Sequence, residues 1–281
     1  MMKINCSING QSIPKKRARI SIFDNSLFYA DGLFETFAAI GDNVIFIEDH
    51  LDRLERGARL IRLALPCSRD RIRRWIMAAN KKNTAPIKKI RVTLTAGDSA
   101  FWAGKKSKPR ILIIVTEYSF PIQPFRLTVS PYQVDQDSPF RNVKTLSFII
   151  EMTSRKKAYS SRFDDGILLN RSGNVAETTS ANIFWVKNGI LFTTPLEAGC
   201  LDGMTRKHII EMAEHRNIPC RIRNIKLNDL LKADEVFVTS SLKLIIPVIS
   251  IKAEKTYKFR VGPLTLELKK MFLDYIEARN R

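Results

Sequence analysis

The chain has 281 residues, enough to bury two modest cores, and its 44% apolar and 27% charged residues are ordinary for a globular protein. Its longest apolar runs, ILIIV (111–115) and LIIPVI (244–249), are strand-sized and too short for a membrane span, and MMKINCSING opens without an apolar stretch of signal-peptide length, so a cytoplasmic chain without a membrane partner is expected. The net charge of +19 raises nucleic acid as a partner, but the basic residues fall in short clusters (15–17, 69–74, 88–89, 155–157) without interleaved aromatics, so they read as solvated surface and no nucleic-acid partner is expected.

Strand-like runs lead the chain, at 3–8, 33–40 and 44–47, the last two joined by a hairpin turn at GDN (41–43). In EDHLDRLERGARLIRLAL, Leu51, Leu54, Ala58, Ile61 and Leu65 recur at alternating three and four residues, which predicts an amphipathic helix closed by Pro66. A second helix is expected over 69–81, then strands at 90–96 and 110–118. SFPIQPF, with two prolines and no periodicity, reads as an interdomain linker. It divides the chain into a domain at 1–119, a linker at 120–127 and a larger domain at 128–281. Beyond it, strands are expected at 126–131, 166–170, 175–177, 182–186, 190–193 and 235–239, and helices at 145–162, 203–216 and 264–277. The outline is α+β in both halves.

Four scattered cysteines and three histidines suggest neither a disulfide framework nor a metal site. Three other features carry chemistry. Lys144, in RNVKTLSF, precedes an apolar-patterned helix; desolvated, it could act as a nucleophile or base, and solvated, it is an ordinary helix-start lysine. Glu177 stands with Thr178, Thr179, Ser180 and Asn182 in ETTSANIF, which taken alone also fits a turn cluster. The turns DGMTRK (202–207) and VTSS (238–241) stand at element boundaries, where unpaired backbone N–H groups and hydroxyls favour phosphate. Together, a lysine able to form a Schiff base, an acid and two phosphate cradles are the parts that pyridoxal phosphate needs. Arg53, in the first half, could add a charge-assisted phosphate contact.

The order and spacing of these parts resemble a class IV aminotransferase, the fold-type IV pyridoxal-phosphate family. The likeness runs through YADGLFETF, HLDRLERGARL, VKTLSF, ETTSANIF, LFT, LDGMTRK and FVTSSLKLIIPV. It implies a smaller N-terminal α/β domain and a larger β-barrel-like domain with flanking helices, in a homodimer whose partner completes the substrate pocket. It also implies that Lys144 binds pyridoxal 5′-phosphate and serves as the catalytic base. Glu177 would face the pyridine nitrogen, and Arg53, Met204, Thr205, Ser240 and Ser241 would hold the phosphate. Thr178, Thr179 and Ser180 would line the pocket. Phe34 and Glu35 fall on the family's substrate-facing strand, and Ala96 stands where D-amino-acid aminotransferases carry an arginine for the substrate carboxylate. Lys105, Lys106 and Lys108 are candidate replacements. Phe34 also stands where those enzymes place a tyrosine, and both departures count against D-amino-acid specificity. The short length and the GLFETF wording resemble aminodeoxychorismate lyase, which releases pyruvate and forms p-aminobenzoate for folate. A branched-chain or broad-specificity aminotransferase is the alternative. A non-catalytic binding protein on the same fold is more remote, since such a protein has no need of the Lys144, Glu177 and Arg53 set.

Overall fold

The computed structural model describes residues 3–98 and 108–278. It divides into two compact units, Met1–Ser119 with Val143–Ser147, and Phe120–Asn142 with Phe148–Arg281. Among the described residues no helix is long and apolar enough to cross a membrane.

The first unit is an antiparallel sheet with two helices on one face. Its strands are β1 (Ile4–Ile8), β2 (Gln11–Ile13), β3 (Gly32–Ile40), β4 (Asn43–Val44), β5 (Ile87–Thr95) and β6 (Arg110–Glu117), in the order β2-β1-β6-β5-β3-β4. A short helix α1 (Asn25–Tyr29) is capped by Asp24, which accepts the Ser26 N–H. Helix α2 (Ile47–Leu60) buries Leu51, Leu54 and Ala58, the stripe expected from their spacing, and α3 (Arg69–Lys81) buries Ile72 and Ile76. These residues close on Leu33, Phe37, Ile90, Val92 and Leu94 to form one apolar core. The strand expected at 44–47 is shorter than its apolar run suggested. Phe46 takes a left-handed conformation (φ 53°), and Ile47 already opens α2.

The second unit carries β7 (Phe125–Val134), β8 (Asp165–Asn170), β9 (Val175–Thr178), β10 (Asn182–Lys187), β11 (Ile190–Thr193), β12 (Cys220–Ile222), β13 (Glu235–Ser240), β14 (Leu244–Lys252) and β15 (Thr256–Lys258). The sheet order is β12-β11-β10-β13-β14-β7-β8-β9, with β15 on β14. Strands β9 and β10 stand five places apart in that order, about 24 Å in a flat sheet. The four Cα steps from Thr178 to Asn182 reach no further than about 14 Å. The sheet therefore curls back on itself, giving the barrel-like form. Helices α4 (Ile149–Ser160), α5 (Met204–His215), α6 (Leu227–Leu230) and α7 (Pro263–Ala278) accompany it; α4 lies against β7 and β8, and α7 against β13 and β14.

Two departures from the expected elements matter for the site. Strand β7 begins at Phe125, inside the stretch expected to be linker, and Leu127 is fully buried between β14 and β8. Helix α4 begins at Ile149 rather than 145. The residues before it pair with β3 instead: Thr145 bridges Leu33, and the Leu146 N–H donates to Gly32 O at 3.0 Å. Pairing with a distant strand overrides a helical apolar pattern here.

Candidate active site

That pairing positions Lys144. Its carbonyl accepts the Phe34 N–H at 2.9 Å, and its Nζ lies 4.6 Å from the centre of the Phe34 ring. Arg91, on β5, stacks on the same ring at 3.9 Å. Burial lowers the Arg91 guanidinium from its ordinary value. Phe34 is thus a buried aromatic wall shared by two cations.

Glu35 does not join it. Side chains alternate across a strand, so Leu33, Glu35 and Phe37 face the helices while Phe34 faces away from them. Instead of the substrate-facing place expected, Glu35 sits 2% exposed beneath α2. There Arg53 donates from Nε to Oε1 and from Nη2 to Oε2, both at 2.7 Å, and His50 Nδ1 lies 2.7 Å from Oε2. His50 and Arg53 are three apart, which places both on one helix face. Burial alone would raise the Glu35 carboxyl, but the Arg53 charge and the hydrogen bonds from Arg53 and His50 outweigh it and hold the group at about 2. Burial lowers His50, against the pull of Glu35.

Both shifts make the first unit acid-sensitive. Glu35 falls from an ordinary 4.5 to about 2, so its stabilising contribution is complete above about pH 4.5 and is lost as pH falls through about 2. Lowered His50 acts in the same direction, because below its ordinary 6.5 the unfolded chain takes up the proton first. Glu35→Gln leaves Arg53 buried without its anion and is expected to destabilise the protein by about 3–5 kcal/mol at pH 7. Denaturant unfolding should show this deficit shrinking towards pH 2. Equal stability of variant and wild type at pH 7 would refute it.

Ala96 is 1% exposed and belongs to the apolar core of the first unit. Next to it Gly97 adopts φ +73°, and a Cβ there would come within 1.9 Å of the Lys108 carbonyl oxygen, so only glycine fits. Lys108 is exposed; Lys105 and Lys106 lie outside the described residues.

In the second unit Glu177, one residue before the end of β9, is 7% exposed. Its Oε1 accepts from Arg141 Nη2 at 2.8 Å and its Oε2 from the Leu201 N–H at 3.2 Å. Arg141 reaches Glu151 Oε1 on α4 with its other Nη, at 2.5 Å. One guanidinium therefore fixes the carboxylate that the sequence singled out. Arg141 was not legible in sequence; RNVK is one more basic cluster among many. The residues that follow, Thr178, Thr179 and Ser180, are anchored by their hydroxyls, all three of which donate to Asp165.

The turn DGMTRK forms the N-terminus of α5. Gly203 is its N-cap, where a Cβ would meet Asn182 Oδ1 at 1.9 Å, so glycine allows the loop to close on β10. No acidic residue occupies the first turn and no side chain caps it. Met204 and Thr205 are both buried there. Thr205 Oγ1 and, at the end of β13, Thr239 Oγ1 are buried without a hydrogen-bond partner among the described residues. Ser240 ends β13 and Ser241 opens the turn to β14. A positive helix end with a free buried hydroxyl suits an anion.

Residues 32–251 match the family described as amino-transferase class IV. A Methanocaldococcus jannaschii protein with a provisional branched-chain-amino-acid aminotransferase name is 31% identical over 276 residues, covering 95% of this chain and 94% of the relative. The aminodeoxychorismate lyase of Bacillus subtilis is 30% identical over 274 residues, covering 94% and 92%. In fold, the chain is similar to the crystal structure of the branched-chain aminotransferase from Thermoproteus uzoniensis, with TM-score 0.90 and 24% identity over 97% of this chain and 94% of that one.

Proposed function

The chain belongs to the class IV amino-transferase family, and from that premise we propose that it is a 4-amino-4-deoxychorismate lyase, acting as a homodimer. The cofactor of the family is pyridoxal 5′-phosphate. The residues present fit it. A phosphate calls for donors not already engaged, and the buried Thr205 hydroxyl at the start of α5 is one. A pyridine nitrogen calls for a fixed carboxylate, and Glu177 is held on both oxygens. When bound, the cofactor supplies an electron sink for the charge left as a proton departs from the amine-bearing carbon.

In this reading Thr205, Ser240, Ser241, the Met204 N–H and Arg53 hold the phosphate. Arg53 is already oriented by Glu35. Glu177 shares a proton with the ring nitrogen, and Arg141 keeps that carboxylate aligned. Lys144 Nζ binds the cofactor, then takes the proton from the amine-bearing carbon of the substrate and returns one to the departing three-carbon enol, which leaves as pyruvate. Phe34 offers an aromatic face beside Lys144.

Phe34 without a hydroxyl and Ala96 without a guanidinium count against a D-amino-acid aminotransferase, and the GLFETF wording of β3 favours the lyase. The full-length likeness to the Bacillus subtilis lyase supports it. An equally long likeness to the Methanocaldococcus jannaschii protein supports the second reading, a branched-chain or broad-specificity aminotransferase. The exposed apolar residues Ile22, Phe23, Leu27, Phe28 and Tyr29 support self-association. Incubation with aminodeoxychorismate and no keto acid is expected to yield pyruvate and p-aminobenzoate. Neither product, together with amino transfer from leucine or glutamate to a keto acid, would decide for the second reading.

A further inference from the structure

We propose that Lys243 is a positioning residue that clasps two turns of the cofactor cradle, 178–180 and 240–243, through Ser180 and Asp165. The inference rests on the cofactor reading above, in which Glu177 precedes the first turn and Ser240 and Ser241 open the second.

Strands β10 and β13 are neighbours, with Asn182 opposite Thr239, so the turn entering β10 and the turn leaving β13 meet at the same end of the sheet. Beneath them lies Asp165, fully buried at the start of β8. Its Oδ1 accepts from the Gly166 N–H at 2.8 Å and from the Thr179 hydroxyl. Its Oδ2 accepts from Ser180 at 2.6 Å and Thr178 at 3.1 Å. Four donors already satisfy this carboxylate.

Lys243 is therefore not needed to complete Asp165. Its Nζ lies 3.7 Å from Oδ2, donates to Ser180 Oγ at 2.5 Å, and stands 5.8 Å from the centre of the Phe125 ring. What the lysine adds is the second turn. Burial pulls its ammonium down to about 8, opposed by Asp165 and reinforced by Arg155. A buried ion pair adds little stability over apolar residues of the same size, so geometry is what this one supplies.

The backbone carries a matching sign. The Lys243 N–H closes the turn on Ser240 O at 3.1 Å and Ser240 Oγ at 3.3 Å. Leu244 then sits at φ 55°, a left-handed conformation unfavourable for a leucine. Such strain persists where the surroundings over-determine it, and the clasp is what does so here. By fixing the serine turn to the residues that follow Glu177, it sets the spacing between the acid and the phosphate cradle.

The test titrates apoprotein with pyridoxal 5′-phosphate, reading visible absorbance, induced circular dichroism and tryptophan fluorescence. Lys243→Met is expected to weaken binding at least about tenfold and to alter the dichroism of bound cofactor. Lys243→Arg should restore affinity to within roughly threefold, and Ser180→Ala, which removes only the bridging hydroxyl, should weaken it by roughly threefold. If Lys243→Met does not fold, Ser180→Ala decides. Wild-type affinity in Lys243→Met or in Ser180→Ala overturns the clasp while leaving the cofactor reading intact. A wild-type protein that takes up no cofactor overturns that reading and the clasp with it.

Discussion

Replacing Lys144 with alanine is expected to abolish the visible absorbance that lysine-bound pyridoxal phosphate gives the purified protein, and to cut turnover at least about a thousandfold. The expectation rests on how firmly the chain holds this residue. Its carbonyl is tied to the Phe34 N–H, its neighbours pair with Gly32 and Leu33, and its Nζ lies over the Phe34 ring. Another buried lysine of the first unit, Lys88, is set differently, with its Nζ donating to the Gly41 and Asn80 carbonyls. A thousandfold loss corresponds to about 4 kcal/mol of transition-state stabilisation. Absorbance at wild-type intensity in the alanine variant would show that another residue binds the cofactor.

The second large effect concerns Glu177. Glu177→Gln preserves the size of the side chain and an oxygen able to accept from Arg141, so the variant should fold and keep its cofactor. It removes the negative charge that stabilises a proton on the ring nitrogen. Turnover is expected to fall by on the order of a hundred- to a thousandfold with absorbance retained, the scale seen when one preorganised electrostatic partner is lost. Measuring kcat at saturating substrate, alongside the spectrum, separates this from loss of cofactor. Turnover near wild type would mean that the ring nitrogen is managed by a different group.

Features written in local periodicity were legible in the sequence. Helix α3 runs over the residues its pattern and its flanking signals mark, and the hairpin of β10 and β11 turns at Asn188–Gly189, both at positive φ. Lys144 and Glu177 stood out by their company at family spacing rather than by any local property. What stayed hidden depends on partners far along the chain. Residues 145–148 look helical until Gly32 and Leu33 are brought beside them. Glu35 and Phe34 must face opposite ways in any strand, but which face meets the helices follows only from where α2 packs. Asp165 reads as a turn residue in FDDG, and its role needs three hydroxyls 13 to 15 residues away. Lys243 is one of 47 basic residues, and nothing local distinguishes it.

The division of the chain bears on how it is made. The first unit takes its closing segment, Val143–Ser147, from beyond residue 119. On the ribosome, then, a nascent chain of 119 residues has its sheet and helices but lacks the strip that pairs with Gly32, Leu33 and Phe34. That strip emerges only after β7, which belongs to the other unit, has been synthesised. The lysine on it thus reaches its aromatic wall after the wall is built, and a fragment ending at residue 119 leaves that edge of β3 bare.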